Sequence, residues 1–79
     1  MIITAEISYY PLTDNYFKPI NYFIDLISNT NITVEEGKTS TILIGDYDDI
    51  MELLKNSMSE LMNKYHSVFD IKISNSCPI

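Results

Sequence analysis

With 79 residues, 46% hydrophobic and 20% charged, the chain has the make-up of one small folded domain, residues 1–79, and not of a disordered segment. Eleven acids against five lysines leave a net charge of −6, and arginine is absent, so the clustered cations that hold nucleic-acid phosphates are lacking. A single cysteine excludes an internal disulfide and points to a reduced, cytoplasmic setting.

Residues Ile2–Tyr10 alternate, with Ile3, Ala5, Ile7 and Tyr9 on one side and Thr4, Glu6 and Ser8 on the other. That period predicts a strand with one buried face, ended by Pro11, which has no N–H for a ladder. Asp14 and Asn15 are helix-start residues, and Ile20, Phe23, Ile24 and Ile27 follow at helical spacing. Pro19 is tolerable only in the first turn, so the regular helix begins near residues 16–18 and stops at the Ser-Asn-Thr-Asn run of 28–31.

Ile32–Glu36 reads as a short strand, Gly37–Lys38 as a turn, and Thr39–Ile44 as a further strand. The unbroken Ile42-Leu43-Ile44 run suits a strand covered on both faces. Asp46 is placed to cap a second helix, with Asp48 and Asp49 at the positive end of its dipole. Ile50, Leu54, Met58, Leu61 and Tyr65 form its apolar stripe, while Glu60 and Lys64 make an i,i+4 pair outside it. Ser67–Ser74 alternates again, Phe69, Ile71 and Ile73 against Val68, Asp70, Lys72 and Ser74.

The order β-α-β-β-α-β specifies an α+β sandwich of the ferredoxin-like (ACT-like) kind, an antiparallel sheet with both helices on one face. The other face carries Thr4, Glu6, Ser8, Asp70 and Lys72 among apolar residues of the third strand. A thin core and a half-apolar open face predict self-association, as a homodimer or homotetramer. No apolar run approaches the ~20 residues of a membrane helix, and the first residues lack the pattern of a secretory leader, so neither membrane insertion nor export is expected.

Catalytic templates find little support. Cys77 and His66 could form a thiol–imidazole pair, yet no third group orients them. The acids of residues 46–49 are explained by capping and lack calcium-loop spacing, so no metal is expected. Six tyrosines are many for this length; Tyr9 belongs with the core, whereas Tyr10 is equally suited to packing on a neighbour or stacking on a ligand ring. Small polar groups gather at Lys38–Ile42 and again near Ser74, and both groups suit a pocket for a polar ring.

Three separated stretches then resemble the YkoF-like proteins: "ISYYPL" (7–12), "TSTILIGDYDDIM" (39–51) and "ISNSCPI" (73–79). They fall in matching order and spacing and span nearly the whole chain. The resemblance implies a domain that binds thiamine or its hydroxymethylpyrimidine precursor without chemistry, as a carrier, buffer or accessory to uptake. It carries over Tyr10, Ser40, Thr41, Ser74 and Cys77 as ligand-binding residues, with hydroxyls on the aminopyrimidine edge and a tyrosine stacked on a ring; Gly45 and Asp48 match as structural residues. The chain departs from YkoF in having one such domain and not a tandem pair, and in placing Ile79 where glycine commonly follows Cys-Pro. A second reading is an ACT-like regulatory module that senses another small molecule.

Overall fold

A computed structural model of the chain describes residues 1–28 and 30–76. Six elements run in the order β1 (Ile2–Pro11), α1 (Phe17–Ser28), β2 (Thr33–Glu36), β3 (Thr41–Asp46), α2 (Tyr47–Lys64) and β4 (Ser67–Ser74). The strands form one antiparallel sheet in the order β2-β3-β1-β4, which is the ferredoxin-like arrangement.

The helices lie on one face. There Ile3, Ala5 and Ile7 of β1 and Leu43 of β3 meet Phe23 and Ile27 of α1 and Ile50, Leu54 and Leu61 of α2, all essentially without exposure. Pro19 sits buried in the first turn of α1, where its missing N–H costs no helical bond. The Asp46 side chain accepts from the Asp48 N–H at 3.1 Å and caps α2. Tyr9 stacks on Phe69 with centroids 4.5 Å apart and meets Phe23 edge-on at 5.5 Å, so it is a core residue as expected. Among the described residues no helix is long and apolar enough to cross a membrane.

Two boundaries differ from the sequence pattern. Strand β1 continues through Pro11, because β3 stops pairing with it at Ile7 and only β4 remains alongside. The Leu12 N–H bonds the His66 carbonyl at 2.8 Å, so the adjacent proline nitrogen faces the vacated side, where no donor is needed. Strand β3 starts at Thr41 and not Thr39. The Gly37 N–H bonds the Ser40 carbonyl at 2.8 Å, drawing Thr39 and Ser40 into the connection, and Gly45 and Asp46 extend the ladder at its far end opposite Ile3 and Ile2.

The Ile42-Leu43-Ile44 run is covered on one face only in the single chain. Leu43 is fully buried under the helices, whereas Ile42 and Ile44 lie half-buried on the open face.

Candidate functional site

The open face is built rung by rung from the register. Glu6 stands between Ile42 of β3 and Lys72 of β4; Ser8 stands opposite Asp70, and Tyr10 opposite Val68. Antiparallel partners keep their side chains on one face, so Glu6, Ser8, Tyr10, Asp70 and Lys72 share a surface. The connection ahead of β3 closes it, and these five with Thr39 and Ser40 line a recess of about 250 Å³.

Inside it the polar groups are ordered. The Ser40 hydroxyl donates to Glu6 Oε2 at 2.9 Å, and the Ser8 hydroxyl donates to the Thr39 carbonyl at 3.2 Å. These two bonds fasten the β2–β3 connection to β1 and aim a carboxylate inward. Tyr10, 52% exposed, forms an aromatic wall. Lys72 is the recess's cation, facing Glu6 across the strands and one rung from Asp70. The arrangement offers carboxylate acceptors, hydroxyls that donate or accept, and a ring on which a flat heterocycle can stack.

The residues singled out in the sequence separate on this framework. Tyr10 and Ser40 come together in the recess. Thr41, the first residue of β3, stands opposite buried Ile7 and so faces the helices; it is 7% exposed beneath α1. Together with Ser40 it lines a second recess of about 240 Å³, bordered by Ile7 and Tyr9 of the sheet and Phe23 of α1. Ser74 is on the open face but opposite Thr4, four residues along β4 from Asp70, about 13 Å at roughly 3.3 Å per residue. Its hydroxyl accepts from the Ser76 N–H at 3.0 Å. The two polar clusters, at the start of β3 and the end of β4, therefore do not meet in one pocket, because both strands run antiparallel to β1 and bring their starts together. Cys77 lies outside the described residues.

Glu6, Ser8, Asp70 and Lys72 were legible as open-face residues but not as recess residues. The missing signal was register: pairing Ser8 with Asp70 depends on how the first and last strands align, which alternation alone does not specify.

Comparison with known proteins agrees with this fold. The profile of the YKOF-related family matches residues 2–79. Among solved structures, a protein of Methanocaldococcus jannascii superposes with a TM-score of 0.84 at 26% identity, over 96% of this chain and 81% of that one. A Streptococcus pneumoniae protein gives 0.87 at 19% identity, over 94% and 86%. A Thermotoga maritima protein, provisionally assigned to thiamine biosynthesis or salvage, gives 0.86 at 22% identity, over 96% and 85%. No curated protein matches the chain significantly.

Proposed function

The chain belongs to the YKOF-related family, and on that basis we propose that it binds thiamine or hydroxymethylpyrimidine non-covalently in the open-face recess. The observation that carries this reading is the meeting of Glu6, Ser8, Tyr10, Ser40 and Asp70 around one small volume. An aminopyrimidine presents an exocyclic N–H donor beside a ring nitrogen. A carboxylate accepts from the first, a serine hydroxyl bonds the second, and the Tyr10 ring stacks on the heterocycle.

At about 250 Å³, the recess is slightly smaller than the ~300–1,000 Å³ of pockets that enclose drug-sized ligands. It holds one ring. The pyrimidine occupies it, and the thiazolium of thiamine stays outside, where a net charge of −6 favours a cation. The protein acts as a carrier, buffer or uptake accessory in the cytoplasm, and it turns nothing over. It does so as a homo-oligomer, a reading supported by half-buried Ile42 and Ile44 on the open face.

Isothermal titration with thiamine and with hydroxymethylpyrimidine tests the reading. Saturable heat with either ligand, weakened by Ser40→Ala and indifferent to Ser74→Ala, is the expected result. Silence with both at millimolar concentration rejects the ligand class. Equal affinity in wild type and Ser40→Ala rejects the recess.

A further inference from the structure

A groove runs between the start of α1 and the end of α2, across the sheet from the open-face recess. It is lined by Phe17, Lys18, Tyr22 and Asp25 of α1, by Lys64 at the end of α2 and by the C-cap residue Tyr65. Its volume of about 560 Å³ is more than twice that of the recess and lies within the ~300–1,000 Å³ of small-molecule sites. Its composition is unlike the rest of the surface. Five lysines, no arginine and eleven acids make most of this chain repel an anion, yet two of the five lysines line this one groove. Three aromatic rings line it with them, and one of these, Phe17, is 65% exposed.

The two cations converge on Tyr22. Lys18 and Tyr22 stand i,i+4 on α1, so their Cβ atoms are about 6 Å apart on one face. Lys64 reaches the same tyrosine from α2, with Nζ 3.1 Å from the hydroxyl and 4.3 Å from the ring centroid. The Tyr22 hydroxyl in turn donates to Glu60 at 2.6 Å, so the ring and the Lys64 ammonium are held before any ligand arrives. Glu60 lies 3.9 Å from Lys64 and offsets part of its charge. Among the described residues none is hydrogen-bonded or ion-paired to Lys18. Asp25 follows seven residues after Lys18 on α1, about 10.5 Å along the axis, which leaves the start of α1 as the cationic end of the groove.

We propose that this groove is a second ligand site, for a flat aromatic ring that carries a phosphate monoester. The phosphate sits between Lys18 and Lys64, which act on it as point charges. A dianion matches two cations, where a carboxylate would leave one unmatched. The ring lies against Phe17 and Tyr65 and covers apolar surface that the single chain exposes. Neither half suffices alone. An inorganic anion meets a net charge of −6 without any stacking, and a neutral ring forgoes both ammoniums. Because the sheet separates this groove from the open-face recess, the site does not depend on what the recess holds.

NMR titration of the isotope-labelled chain with phenyl phosphate, inorganic phosphate and phenol tests the site, with circular dichroism to verify the folding of each variant. Phenyl phosphate is expected to shift the signals of Phe17, Lys18, Tyr22 and Tyr65 saturably. It should bind about tenfold or more tightly than either fragment. Lys18→Gln and Lys64→Gln are each expected to raise its dissociation constant about fivefold or more. Lys18 is exposed and touches no other element's polar groups, so its variant tests the site even if Lys64→Gln disturbs the Tyr22 contacts. Saturating hydroxymethylpyrimidine should leave the phenyl phosphate shifts in place. Equal affinity for phenyl phosphate and inorganic phosphate overturns the proposal, as does a dissociation constant unmoved by Lys18→Gln. Shifts that lie away from the groove, or displacement by hydroxymethylpyrimidine, overturn it too.

Discussion

The Ser40 hydroxyl donates to the Glu6 carboxylate at 2.9 Å across the open face, joining the connection ahead of β3 to the middle of β1. One carboxylate oxygen is thereby held in place, leaving lone pairs for a ligand donor. Glu6→Gln keeps the shape but replaces an anionic acceptor with a neutral amide. Hydrogen bonds to charged groups contribute roughly 1.5–3 kcal/mol, so affinity for hydroxymethylpyrimidine is expected to fall about tenfold or more. Titration calorimetry measures it, and an unchanged dissociation constant removes Glu6 from the site.

The neighbours Tyr9 and Tyr10 serve opposite faces and separate stability from binding. Tyr9 lies between Phe23 and Phe69, and its hydroxyl bonds Ser67 at 3.0 Å. Tyr9→Ala is expected to cost about 2–3 kcal/mol, somewhat less than a fully buried aromatic, a large part of what so small a domain possesses. Tyr10→Ala should change stability by less than about 0.5 kcal/mol while weakening ligand binding. Urea unfolding and titration calorimetry on both variants check the pair; a reversed pattern contradicts the division of the two faces.

Gly37 supports the recess from outside it. A Cβ there would stand 2.9 Å from the Ser40 carbonyl oxygen, the atom to which the Gly37 N–H already donates. The obstacle is backbone, so the turn itself must move. Gly37→Ala is expected to cost about 1–3 kcal/mol and to carry Ser40 away from Glu6, lowering ligand affinity as well. Chemical denaturation with parallel titration tests both effects. Unaltered stability would show that the turn relaxes freely.

At the far end of α2, the Tyr22 hydroxyl donates to Glu60 at 2.6 Å and accepts from Lys64 Nζ at 3.1 Å, with that nitrogen 4.3 Å from the ring centroid. The Tyr22 hydroxyl bond is the main reason that the Lys64 pKa lies above the ordinary lysine value, against a smaller opposing effect of desolvation; nearby charges add to the rise. A raised folded-state pKa gives stability that is complete below the unfolded value and lost as pH climbs through the folded one. Tyr22→Phe should lower the Lys64 titration toward the ordinary range and flatten the alkaline decline in melting temperature. Carbon-detected NMR of the lysine side chains follows the first, and a Lys64 titration that stays put discounts the Tyr22 bond.

Much of the fold was legible because alternation and helical spacing survive in a short, uninterrupted chain. Ile3, Ala5 and Ile7 marked the inner face of β1, and Phe23 and Ile27 that of α1, as the core confirms. Asp46 was readable as a cap from its chemistry alone. The start of β3 was misplaced because Thr39 has strand propensity, yet the Gly37–Ser40 backbone bond overrides it. At the site, Tyr10 and Ser40 were legible and meet in the open-face recess, Thr41 meets Ser40 only in the recess on the helix side, and Ser74 lines neither. Adjacent residues of an extended chain face opposite ways, and the distance between rungs depends on pairing between segments remote in sequence. Glu6 and Asp70 were legible on the open face, but not as members of one recess, for the same reason.

The recess draws Glu6, Ser8 and Tyr10 from the first strand and Asp70 and Lys72 from the last. Contacts so distant along the chain form slowly, since loop closure precedes any gain from pairing. During synthesis the β1 half emerges early and waits, without its wall, until β4 has left the ribosome. Vitamin binding of the proposed kind is therefore a property of the finished sheet alone, and any shortened product lacking β4 forfeits it.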